Sequence, residues 1–137
     1  AMGKSIQKII NVQKNTSDDQ KADKVLFVIT TDGMENASRE YSYGRIKKMV
    51  EHQKEKYGWE FIFLGANIDA VLTAERFGIE HDRSANYHAD GEGTRLNFEA
   101  VSNVVSDLRA SKSISKDWKE NIDKDFERRQ KNKRKLL

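Results

Sequence analysis

Lys24 to Asn36 reads KVLFVITTDGMEN, and this stretch decides the fold. Five apolar residues in a row, Val25 to Ile29, run into two threonines, an aspartate and a glycine. An uncharged, β-branched run of this kind is the pattern of a parallel strand buried on both faces. In open α/β sheets such strands deliver their last residues to the rim where ligands bind. Asp32 is therefore the first candidate functional residue, and Val25 to Thr31 the first predicted strand.

The flanking segments supply the rest of an α/β pattern. Upstream, Ile6, Ile9 and Ile10 fall near one face of a helix predicted over Gly3 to Lys14, and Asn15 to Asp23 is a polar connector. Downstream, a loop from Asp32 to Ser42 is longer than the usual two to six residues of a βα connection, and long loops are more often functional. Ser42 can cap a helix that places Ile46, Met49, Val50, Gln53 and Tyr57 on one face and stops at Gly58. Trp59 to Leu64 is a second apolar strand, followed by a short helix over Ile68 to Phe77 and a weaker strand at Ala85 to Ala89. Asp90-Gly-Glu-Gly reads as a turn into a long helix with Phe98, Val101, Val105 and Leu108 inward. Trp118, Ile122 and Phe126, spaced by four, mark a last amphipathic helix from Ser115 to Phe126.

Helix and strand alternate throughout. That order predicts a Rossmann-like three-layer α/β/α fold around a mainly parallel sheet, with about three strands per chain. The 137 residues suit one domain. The expected organisation is an α/β body over residues 1–112, a docking helix over 113–127 and a basic, disordered tail over 128–137.

Charge and composition remove several functions. The chain has no cysteine, so disulfides, thiolate metal sites and cysteine nucleophiles are excluded. No apolar run approaches the length of a membrane span, and the first residues lack the apolar core of a signal peptide, so the expected location is cytoplasmic. The net charge of +3 belongs to the end of the chain: Arg128 to Leu137 holds six basic residues and no acid, and without them 19 basic residues face 22 acidic ones. Such a run can bind nucleic acid by releasing counterions, but with no aromatic residues interleaved the solvated reading is favoured. His52, His81 and His88 share no ligand spacing.

The strand ends bring only oxygen donors to the rim: Thr30, Thr31 and Asp32 after the first strand, Asn67 and Asp69 after the second. Hard oxygens suit Mg²⁺. Against that reading, Asp32 can start a turn with Gly33, and Asn67 or Asp69 can cap the next helix, which is the favoured account of those two.

The segments VLFVITTDGMENASREYS, WEFIFLGANIDA and ANYHADGEGTRLNFEAVSNVVSDLR together resemble the second half of a von Willebrand factor A-like domain of the intracellular bacterial and phage type. TTDG at a strand end is the most specific element of the likeness. The resemblance implies a non-enzymatic, metal-dependent protein-binding module. It also implies that Asp32 is one metal ligand, with Thr30 and Thr31 as hydroxyls behind it. Gly33, Glu35, Asn36, Arg39, Asn67 and Asp69 would then line a partner site. The family's D-x-S-x-S segment and its threonine loop are not matched here, so Mg²⁺ would find an incomplete site in one copy. The strand that normally lies beside Val25 to Ile29 is likewise unmatched, which leaves Val25, Leu26, Phe27, Val28 and Ile29 as an open edge and predicts a homodimer paired along it. Two other classes stay open: a Mg²⁺-dependent Rossmann-like hydrolase using Asp32, and nucleic-acid binding through the basic tail.

Overall fold

The structure is a computed structural model and describes residues 2–17, 24–33 and 42–135. The order is α1 (Met2–Lys14), β1 (Leu26–Asp32), α2 (Tyr43–Tyr57), β2 (Glu60–Ala66), α3 (Ala70–Arg76), β3 (Ser84–Asn86), α4 (Gly91–Arg109) and α5 (Glu120–Lys135), with a single 3₁₀ turn at His81–Arg83. The three strands are parallel in the order β1-β2-β3, and helices cover both faces. This is the three-layer α/β/α arrangement the alternation predicts. No helix among the described residues is long and apolar enough to cross a membrane.

Alternating side chains divide the sheet between two cores. Phe27, Ile29, Phe61 and Phe63 pack with α1, α2 and α3, around Ile6, Ile46, Val50, Ala74 and Phe77. Leu26, Val28, Ile62 and Leu64 turn the other way, toward Ala100 and Val104 of α4 and toward Trp118 and Ile122. β2 is the central strand and is buried from Phe61 to Ala66, whereas most of β1 is only half-buried.

The helix ends follow the expected chemistry. The Ser42 hydroxyl accepts from the Arg45 N–H at 3.2 Å, and Gly58 closes α2 in the left-handed conformation, φ 66°, which its missing Cβ permits. Asp90 caps α4 by accepting from the Gly93 N–H at 2.8 Å. At Gly93 a Cβ would lie 1.8 Å from the His88 carbonyl oxygen, so this glycine lets α4 start directly against the strand exit.

Three expectations need correction. Tyr57 is 54% exposed and Phe98 74% exposed, although both keep a core-like spacing. On α4 the row that meets the core is Gly93, Asn97, Ala100 and Val104, whose smaller side chains admit a close approach. Phe98 lies about 100° round the helix from Asn97 and misses that contact. The last helix starts at Glu120, later than expected, and continues to Lys135, so residues 128–135 are helical where a disordered tail was expected. The reason is a set of ion pairs. Arg129 bonds Asp90, which ties the basic turns to the body, while within the helix Asp125 accepts from Arg129 at 3.1 Å and from Arg128 at 2.8 Å.

Candidate functional site

The carboxyl ends of all three strands meet at one rim. β1 delivers Asp32 and turns away at Gly33, whose φ of 114° suits a residue without a Cβ and whose N–H donates to the Ala66 carbonyl at 2.9 Å. The Thr31 hydroxyl donates to the Gly33 carbonyl at 3.1 Å and so braces this turn. β2 ends at Ala66, and Asn67 follows in the left-handed region, φ 59°. Asn67 therefore does not cap α3: its amide Nδ2 donates to Asp32 Oδ1 at 2.5 Å, joining the first two strand ends. Asp69 is the cap, accepting from the Leu72 N–H at 3.2 Å. That tight βα turn depends on Gly65, where a Cβ would meet the Ala70 Cβ at 2.9 Å.

The third strand end completes the rim with residues the sequence reading had passed over. Asn86 Oδ1 accepts from the Ala70 N–H at 3.0 Å, and Tyr87 bonds the Gly65 carbonyl through its N–H at 3.1 Å. Burial first, and then the Asp32 carboxylate, push the Tyr87 phenol above its ordinary value, so it remains a protonated donor beside the acid. The rule that open sheets bind ligands beyond the carboxyl ends of their strands would have pointed to this exit, but Ala85 to Ala89 is a weak strand and its end was not used.

Among the candidate residues, Asp32, Asn67, Thr31 and Gly33 come together directly. Asp69 stands nearby but is occupied with its own helix, and Thr30 is exposed. Glu35, Asn36, Arg39 and Glu40 lie outside the described residues. No group of three or more His, Cys, Asp or Glu side chains that could hold a metal ion is present among the described residues. Mg²⁺ asks for about six oxygens in near-octahedral array. Asp32 offers one carboxylate, one of whose oxygens accepts from Asn67, and the Thr31 hydroxyl bonds the adjacent turn. The residues described in one copy therefore do not fit the ion. What they form is an exposed acid held in a fixed direction by an amide, with a buried phenol nearby, and its free carboxylate oxygen has the chemistry of a hydrogen-bond acceptor.

Elsewhere, His88 packs on Phe126 with ring centroids 5.1 Å apart, while His52 and His81 are exposed. Two cations of the basic segment, Arg128 and Arg129, are already paired with acids of the fold. Family models, curated proteins and solved structures were compared with the chain, and none matches.

Proposed function

We propose that this chain is a non-enzymatic protein-binding module of the von Willebrand factor A-like kind, which meets its partner at the Asp32 rim and a second copy of itself along β1. The observation that carries the reading is the hydrogen-bonding of β1. Val25 accepts from the Glu60 N–H and Gly33 donates to the Ala66 carbonyl, each at 2.9 Å. In a parallel ladder alternate residues bond the same neighbour. The odd-numbered residues of β1 therefore bond β2, and the backbone groups of Leu26, Val28 and Thr30 point to the open side, where nothing among the described residues pairs with them. The strand is apolar and uncharged up to Asp32, with no lysine, proline or bulge to discourage pairing.

The exposed Phe98 supports the same reading. The α4 residues nearest the α5 side are Glu99, Asn103 and Asp107, and helical spacing turns Phe98 and Val105 away from them. Val101 and Leu108, on the intervening flank, join the cluster that holds Leu26 and Val28. A two-fold axis beside β1 would bring this flank of α4 against its own copy.

Among the described residues no second carboxylate or base stands beside Asp32 to support the hydrolase alternative, and the nucleic-acid alternative gains nothing from a basic segment partly used in ion pairs. A cytoplasmic location belongs to the proposal. Light scattering at micromolar concentration tests it: a mass twice that of one chain is expected, and a clean monomer overturns self-association. Calorimetric titration with Mg²⁺ or Mn²⁺ is expected to show no tight site. Tight binding lost in Asp32→Ala would overturn the reading of the rim as a metal-free contact surface.

A further inference from the structure

At the opposite, amino end of the strands, α1 and α2 flank a half-open cavity of about 640 Å³. Its size falls within the range of small-molecule sites, roughly 300 to 1,000 Å³. Ile10 of α1, Met49 of α2 and the almost fully buried Trp59 give it an apolar interior. Lys14, Lys48 and Lys56 line it as well, and among the described residues no acidic one does.

The distribution of carboxylates along α2 makes this distinctive. On the flank that faces α3, Lys47 pairs with Glu51 and Lys54 with Glu80, each at 3.9 Å, and Glu55 and Glu75 line the same groove. On the cavity flank, no carboxylate among the described residues pairs with Lys14, Lys48 or Lys56. Among the described residues, α2 thus pairs its lysines with carboxylates on one side and not on the side that faces the apolar hollow. Uncompensated cations over an apolar floor attract a molecule whose charge stays at the mouth while its body displaces water from Trp59 and Met49.

We propose that this cavity binds an amphipathic organic anion, an aliphatic or aromatic body with a carboxylate or phosphate at one end. The site is separate from the Asp32 rim, at the other end of the strands.

The test titrates the full chain with dodecanoate, dodecyl phosphate and dodecyltrimethylammonium, each kept monomeric, and follows binding by calorimetry and by NMR shifts of the Trp59 indole and the Ile10 and Met49 methyl groups. Both anions should saturate at one per chain and move those signals, and the tighter of the two identifies the head group. Lys14→Glu combined with Lys48→Glu should weaken anion binding about tenfold or more, and Lys47→Glu on the paired flank by less than about twofold. All three changes lie on exposed positions, so the fold survives them. The proposal is overturned if neither anion saturates, if the cationic amphiphile binds as tightly, if the shifts map elsewhere, or if the double variant binds undiminished.

Discussion

Strand β3 closes the sheet with three residues, and β1 closes it with seven. In β3 the Tyr87 N–H bonds the Gly65 carbonyl, so the outward backbone groups are those of Ser84 and Asn86. The Ser84 carbonyl receives the Lys119 ammonium at 2.8 Å, and Ser84 and Ala85 are buried. The segment leading into α5 holds this cover down: Lys119 also bonds the His81 carbonyl at 3.0 Å, and the Trp118 indole N–H donates to the Asp82 carbonyl at 2.8 Å. Among the described residues, nothing comparable stands beside Leu26, Val28 and Thr30. Among the described residues a tryptophan, a lysine and a sixteen-residue helix cover the three-residue edge, while the seven-residue edge has no such cover, the contrast on which the proposed self-pairing of β1 rests.

The largest way to break this contrast is to remove the seal. Trp118 is 7% exposed and sits in the α4–α5 core with Ile114 and Ile122. Trp118→Ala should cost about 3–5 kcal/mol through the cavity it leaves, and should release α5 from β3. Chemical denaturation measures the loss, and amide exchange at Ala85 and Asn86 reports the edge. A loss below about 1 kcal/mol with protected amides would show that α5 is not the cover. A smaller change acts on the edge alone: Lys119→Met keeps the stem and deletes both charged hydrogen bonds, for an expected loss of about 1–2 kcal/mol in the same assay.

Acid should loosen the same element more gently. A hydrogen bond from Arg129, then one from the Gly93 N–H, holds the Asp90 carboxyl below its ordinary value of 3.8. Burial pushes Asp125 up, but Arg128 and Arg129 outweigh it and leave that carboxyl low as well. A carboxylate with a depressed folded pKa stabilises above its unfolded value and loses that contribution as pH falls through the folded one. Asp123, raised by burial, has the opposite sign and gains stability as it protonates at higher pH. The thermal midpoint should therefore hold or rise slightly on approach to pH 3.8 and drop below it, and Arg129→Ala should flatten the drop. An unchanged profile in that variant would remove these ion pairs from the docking of α5.

What could be read from residue order alone follows the same division. The strands, the Ser42 and Gly58 helix ends and the Asp69 cap were legible because local chemistry fixes them. Asp32 was legible because a strand end presents it. Its partners were only half so: Asn67 was weighed as a cap because no local signal reveals a contact across 35 residues, and Tyr87 follows a strand too short to announce itself. The basic end was misjudged for a related reason. A run of like charge reads as solvated until the acids that neutralise it are seen, and Asp90 lies 39 residues from Arg129. Phe98 shows the converse limit, since apolar spacing marks a face without saying whether this chain or another covers it.

The finest test changes the open edge and leaves everything else in place. Thr30 has an exposed side chain, and its backbone N–H is one of those turned away from β2. Proline is tolerated on an edge strand where the missing N–H faces solvent. Thr30→Pro should therefore leave the β1–β2 ladder intact and cost the single chain about 1 kcal/mol through the backbone, much less than the loss of the pairing on each side of the axis. In an antiparallel pairing centred on Val28, Thr30 would stand opposite Leu26 of the second copy, and the same substitution would remove a ladder bond on each side of the axis. A dimer that becomes a monomer with its single-chain unfolding curve shifted by no more than that backbone cost assigns the association to β1. A dimer that persists moves the interface off the strand, to the exposed Phe98 flank of α4, and Phe98→Ser then becomes the variant that must dissociate it.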